Sequence, residues 1–155
     1  MSSAVSTAYD NLLTRLAAVL TSAAGWHQIP NAYDIPSNSF TFLKQGYGLA
    51  IGSATNGRRE LSCNIHVDRT FVVSIAREVF KLDGDASGYG TVSKDLMEDL
   101  KLVIKDFETN ATLNSGLINL SYENDSGVQA IEGDDFSAMF VSANFKAILI
   151  ENLNV

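Results

Sequence analysis

Cysteine is almost absent from this 155-residue chain, and proline and histidine are scarce. The one cysteine, Cys63, excludes an internal disulfide. Nothing else in the sequence points to secretion, so a reducing compartment is expected. Two histidines and one cysteine offer no zinc set of recognisable spacing. Long apolar runs are also missing. The stretch MSSAVSTAYD has no basic region, and Asp10 and Arg15 interrupt the apolar residues that follow. Neither a signal peptide nor a membrane span is therefore expected. Basic residues are few: 11 Lys and Arg against 18 Asp and Glu give a formal net charge of -7. That balance disfavours a grip on a phosphate backbone, which requires clustered Lys and Arg. The acid is dispersed apart from DGD at 83–85 and EGDD at 132–135, as in a chain kept soluble by its charge.

What is present is ordinary for a globular chain. With 46% hydrophobic and 19% charged residues, the length suffices to bury a core without staples, and one domain over 1–155 is expected. Val5, Tyr9, Leu12, Leu13, Leu16 and Leu20 form one helical stripe, with Gly25 as its stop. Residues 26–45, WHQIPNAYDIPSNSFTFLKQ, keep no period and hold both prolines, together with Trp26, Tyr33, Phe40 and Phe42. A structureless segment of this length is uncommon in a compact domain. Its apolar residues require burial, either on their own chain or on a neighbour.

A long hairpin is expected over 46–80. The strand GYGLAIGSA leads through Thr55-Asn56-Gly57 into residues 61–80, LSCNIHVDRTFVVSIAREVF. Asn-Gly is a strong hairpin signal, and a three-residue turn would set Leu49 opposite Cys63 and Ile51 opposite Leu61. The even side of the first strand, Gly46 to Ala54, carries only Gly and Ala, which suits close approach of another backbone. In 61–80 the odd positions are apolar except for Arg69 and Arg77. Each guanidinium on such a face must snorkel, find a carboxylate or meet a neighbouring subunit.

A helix is expected over 91–108, with Val92, Leu96, Leu100, Val103, Ile104 and Phe107 on one face and Thr91 or Ser93 as its N-cap. A closing hairpin over 117–151 has strands near 117–123, 127–131 and 136–151. The order predicts an α+β fold, a largely antiparallel sheet of four to five strands with two helices packed on one face.

Chemistry is hard to find in this sequence. DGDASGYGTVSK (83–94) imitates a calcium loop, but its twelfth position is Lys94 where a bidentate Glu is required. GYGLAIG has the wrong spacing for a dinucleotide loop. Cys63 and His66, three apart on a strand, point to opposite faces and form no dyad. Asp134 and Asp135 fall at an apparent loop tip, without the burial that a catalytic carboxylate pair needs. No catalytic residue, metal or cofactor is expected. Arg58 and Arg59 form the only adjacent basic pair, at the hairpin tip.

NGRRELSCNIHVDRTFVVSIAREVF followed by SKDLMEDLKLVIKDFE resembles the small neck proteins of tailed bacteriophages, above all the tail terminator (tail completion) family. The resemblance is one of arrangement and implies a non-enzymatic virion protein. It implies a ring, a hexamer in that family, that caps the tail tube, joins the head-side connector or stopper and lets the genome pass without specific binding. Trp26, Tyr33, Phe40, Arg58, Arg59, Arg69 and Arg77 are the candidate subunit or partner contacts. Alternatives are a head-completion, stopper or tube protein of the same neck, or a small-ligand-binding or enzymatic α+β domain with a pocket lined by Trp26, His27 and Tyr47. A domain whose aromatic arm binds a peptide is a third.

Overall fold

The computed structural model describes residues 3–21, 25–59, 63–80, 87–109 and 117–153. Helix α1 (Ala4–Leu20) opens on Ser3, whose hydroxyl accepts the amide proton of Ser6 at 3.1 Å, and buries Ala8, Leu12, Leu16 and Leu20. Strand β1 (His27–Gln28), a 3₁₀ turn at Ile35–Ser37 and the single-turn helix α2 (Phe40–Leu43) follow. Then come β2 (Gln45–Arg59), β3 (Asn64–Glu78), helix α3 (Ser87–Thr109), β4 (Leu117–Asp125), β5 (Gln129–Glu132) and β6 (Ser137–Asn152).

The six strands make one sheet in the order β1-β2-β3-β6-β4, with β5 sharing the outer edge of β6 beside β4. Only β1 runs parallel to its neighbour. The fold is therefore α+β with a mostly antiparallel sheet. Helices α1 and α3 both pack on the face that carries Leu49, Phe71, Val73 and Ile75 beside Val141, Phe145 and Leu149. Alternation puts these side chains on one side of the sheet, and each is nearly or wholly inaccessible to solvent. The opposite face has a smaller apolar cluster, in which Ile29, Ile35 and Leu43 cover Ala76, Ala138 and Phe140.

Two expectations fail locally. Chain reversal does not occur at Thr55-Asn56-Gly57, because β2 stays paired through Arg58 with His66 and Arg59 with Ile65. Asn56 adopts a left-handed φ of 54° inside the strand, where the register slips by one residue. Left-handed Asn suits a bulge as well as a turn. The observed register sets Tyr47, Leu49 and Ile51 opposite Ile75, Val73 and Phe71, so large side chains meet over the deepest part of the core. It differs from the expected register by an even number of residues, and the apolar faces therefore coincide. Strand β3 spans 64–78, and Leu61 lies outside the described residues.

Helix α3 begins at Ser87, not 91, so Thr91 and Ser93 lie inside it, and the Ser93 hydroxyl donates back to the Tyr89 carbonyl at 2.7 Å. Gly88 reads as loop punctuation but is required by packing. A Cβ there would stand 2.5 Å from the carbonyl oxygen of Phe80.

Candidate assembly interface

The irregular segment lies on the sheet of its own chain. A Cβ on Gly46 would sit 2.1 Å from the Phe42 carbonyl oxygen, and one on Gly48 would sit 2.9 Å from Ala32 Cβ. The backbone that the Gly/Ala strand face admits is thus the chain's own. Asn38 fixes this arm: its amide donates to the carbonyls of Asn31 (2.8 Å), Asp34 and Ile35 (both 3.0 Å), while its oxygen accepts from Asn31 N–H. Phe40 is half-buried, stacked on Phe136 at 4.4 Å between centroids with Lys44 Nζ over its ring. Tyr33 remains 70% exposed, and its hydroxyl accepts the edge amide proton of Ile51 at 3.2 Å. The arm therefore covers the inner part of the β2 edge.

Arg77, on the helix-bearing face, makes a two-pronged pair with Asp99 of α3 and lies 5.2 Å above the half-buried ring of Trp26. The hydrogen bonds to Asp99 hold its guanidinium pKa above the usual value. Sequence reasoning found Arg77 and Trp26 and missed Asp99. The signal for it is present: Asp99 interrupts the buried stripe of Leu96, Leu100 and Val103, as Arg77 interrupts its strand. The same logic applies to Arg15 and Asp106, which join α1 to α3 by bonds of 2.9 and 2.6 Å.

Arg69 acts on the hairpin. The β2 register slips between Ile51 and Ala54, and Arg69 Nη1 donates to the Gly52 carbonyl inside that bulge at 3.0 Å. Its Nε is buried without a partner among the described residues. At the second slip, between Thr55 and Arg58, the Asn56 amide donates to the nearly buried Asp68 carboxylate at 3.1 Å. Both bulges are thus fastened by side chains of β3.

Across and past these bulges Ser53 through Arg59 are all exposed, whereas β3 opposite them is partly or fully buried and pairs on its other side with β6, so it is β2 that outruns its cover. Arg58 shares a face with His66 and Arg59 shares the other with Ile65. Both arginines are free of ion pairs among the described residues. Bulges interrupt β2 and β4. Glu108 Oε1 also takes the Tyr122 amide proton of β4 at 3.1 Å, so both edges resist simple strand addition.

A cleft of about 570 Å³ lies beside Arg77, lined among others by His27, Lys44, Glu78, Phe80 and Asp95. It takes in His27 without Trp26 or Tyr47, and its charges are of both signs. Asp83 and Asp85 of the calcium-like stretch lie outside the described residues, and Lys94 is exposed on α3. Among the described residues no metal-binding cluster occurs, and no helix is long and apolar enough to cross a membrane.

No protein-family model matches the chain, and no curated protein matches it. Among solved structures, a chain from the virion of a native gene transfer agent particle superposes at a TM-score of 0.50 with 14% identity, over 92% of this chain and 91% of that one. At that identity the likeness speaks for the fold.

Proposed function

We propose that this protein is a non-enzymatic structural component of a phage-like virion, a tail-terminator-like ring subunit at the head–tail junction. The observation that carries the reading is the exposed overhang of β2. Every residue from Ser53 to Arg59 is exposed, although the strand stays bulge-fastened to β3, so this outer half has no cover from its own chain. The end-to-end likeness to a virion chain supports the same reading at the level of fold. The subunit acts as one domain without a cofactor and closes a ring, a hexamer, through two different surfaces of each copy. It meets the tail tube on one side and the head-side connector or stopper on the other, and the genome passes its acidic lumen without specific binding. Tyr33, Arg58 and Arg59 reach the neighbours. Arg69, Arg77, Trp26 and Phe40 hold the elements that present them. Light scattering after size exclusion, with negative-stain images, tests the proposal: rings are expected, and a protein that stays monomeric at high concentration overturns it.

A further inference from the structure

The two ends of the sheet carry opposite free charge. At one end stand Arg58 and Arg59, exposed on opposite faces of the hairpin tip, without a carboxylate partner among the described residues. At the other end is the turn between β5 and β6, closed by the Gly133 amide donating to the Phe136 carbonyl at 2.9 Å. Asp134 and Asp135 occupy the middle of that turn, exposed and unpaired among the described residues. Beside them lies a cleft of about 340 Å³ whose lining includes Glu132, Asp134 and Asp135 together with Val79 and Phe136. Glu132 is held in place by the hydroxyls of Tyr89 and Ser137. Carboxylates for a guanidinium, with Val79 and Phe136 for its aliphatic stem, make an environment that an arginine side chain fits.

One molecule cannot close this contact on itself. Arg59 stands level with Ile65 and Glu151, whereas the acidic turn ends at Ser137, the other end of β6. At about 3.3 Å per residue the two ends are roughly 45 Å apart. The contact therefore joins different copies, and repeated head to tail it is the heterologous geometry from which rings are built. We propose that the β2–β3 tip of one copy docks at the acidic β5–β6 turn of the next copy, with one of its two arginines in the cleft beside Asp134 and Asp135. The proposal rests on the ring reading above and assigns the chemistry of its subunit contact.

Charge exchange in the full-length chain tests it. One variant carries Arg58→Glu and Arg59→Glu, the other Asp134→Lys and Asp135→Lys. All four positions are exposed, so both variants are expected to keep the wild-type melting profile by circular dichroism. Each alone is expected to lose the ring in light scattering and negative stain. Mixed in equal amounts they are expected to recover it, because each reversed tip then meets a reversed turn and each native tip a native turn. Wild-type assembly is also expected to weaken as salt is raised, since exposed charges are screened. A wild-type ring that tolerates either reversal overturns the contact and leaves the ring reading standing. So does loss in both variants without recovery on mixing, because the two ends then meet some other surface. A wild type that never assembles overturns the ring reading itself, and the contact with it.

Discussion

Arg77 of β3 and Asp99 of α3 meet side-on, with Nε to Oδ2 at 2.6 Å and Nη2 to Oδ1 at 2.9 Å. The pair is largely shielded from water, with 28% and 11% of the two side chains exposed. A shielded pair contributes little over an apolar one, but removing one partner strands the other. Asp99→Ala is expected to lower unfolding free energy by about 2–3 kcal/mol. Urea titration measures this. Arg77→Met together with Asp99→Leu is expected to recover most of the loss. Trp26 is the only tryptophan and lies under Arg77, so its fluorescence should change in both variants.

Two glycines are expected to respond with opposite sign to the same substitution. At Gly46 an added methyl meets the Phe42 carbonyl at 2.1 Å, an atom of backbone that yields only if the arm shifts. Gly46→Ala is expected to destabilise by about 1–3 kcal/mol. At Gly90, in α3, nothing lies within 4 Å of the added methyl. Gly90→Ala is expected to stabilise by about 0.5–1 kcal/mol through helix propensity. Thermal melts of the two variants read the contrast directly.

These contacts also mark the limits of the sequence. The stripes of α1 and α3 and the alternation in β3 and β6 are local periodicities, and they locate those elements and their buried faces. Asn56-Gly57 is ambiguous, because a left-handed residue serves a hairpin turn and a bulge alike, and only the depth of the core around Phe71 and Val73 decides between them. Gly88 misleads for a similar reason: the atom that requires it, the Phe80 carbonyl oxygen, lies past the end of β3 and in no local pattern. In the candidate interface, the need of Arg77 for a partner was legible from its face, and Asp99 could have been found as the polar interruption of a buried stripe. The Tyr33 hydroxyl on the Ile51 amide joins residues 18 apart by an edge contact that no periodicity encodes.

The β4–β5 turn is expected to titrate in acid. Tyr122 donates its hydroxyl to Asp125 Oδ2 at 2.5 Å, and the Gly127 amide donates to Oδ1 at 2.8 Å. The Tyr122 bond first, and the Gly127 bond second, hold the Asp125 pKa below the usual carboxylate value. A depressed carboxylate contributes stability above its unfolded pKa, near 4, and loses it as pH falls through the lower folded value. The turn should therefore stay closed at neutral pH and loosen only in acid below the ordinary aspartate range. Tyr122→Phe is expected to raise the Asp125 midpoint in a carboxyl-carbon NMR titration. An unchanged midpoint would mean that the bond does not hold the carboxylate.

The stiffness of the overhang is expected to depend on Asp68. This carboxylate is nearly buried, and the Asn56 amide is its hydrogen-bond partner at the second bulge. Asp68→Ala removes the acceptor and leaves Asn56 to water, at an expected global cost of about 1 kcal/mol, the net value of one such bond. The larger effect is local. Residues 53–59 are all exposed, so their order depends on pairing with β3 and on the two fastened bulges. Hydrogen exchange at Ala54 through Arg59 is expected to quicken several-fold, while amides of Val73 and Ile75 keep wild-type protection. If the overhang works by presenting Arg58 and Arg59 in fixed positions, the same variant assembles more weakly than wild type without losing the fold. Faster exchange at the tip with unaltered assembly would mean that the arginines need only reach their partner, and that preorganisation of the hairpin adds nothing to binding.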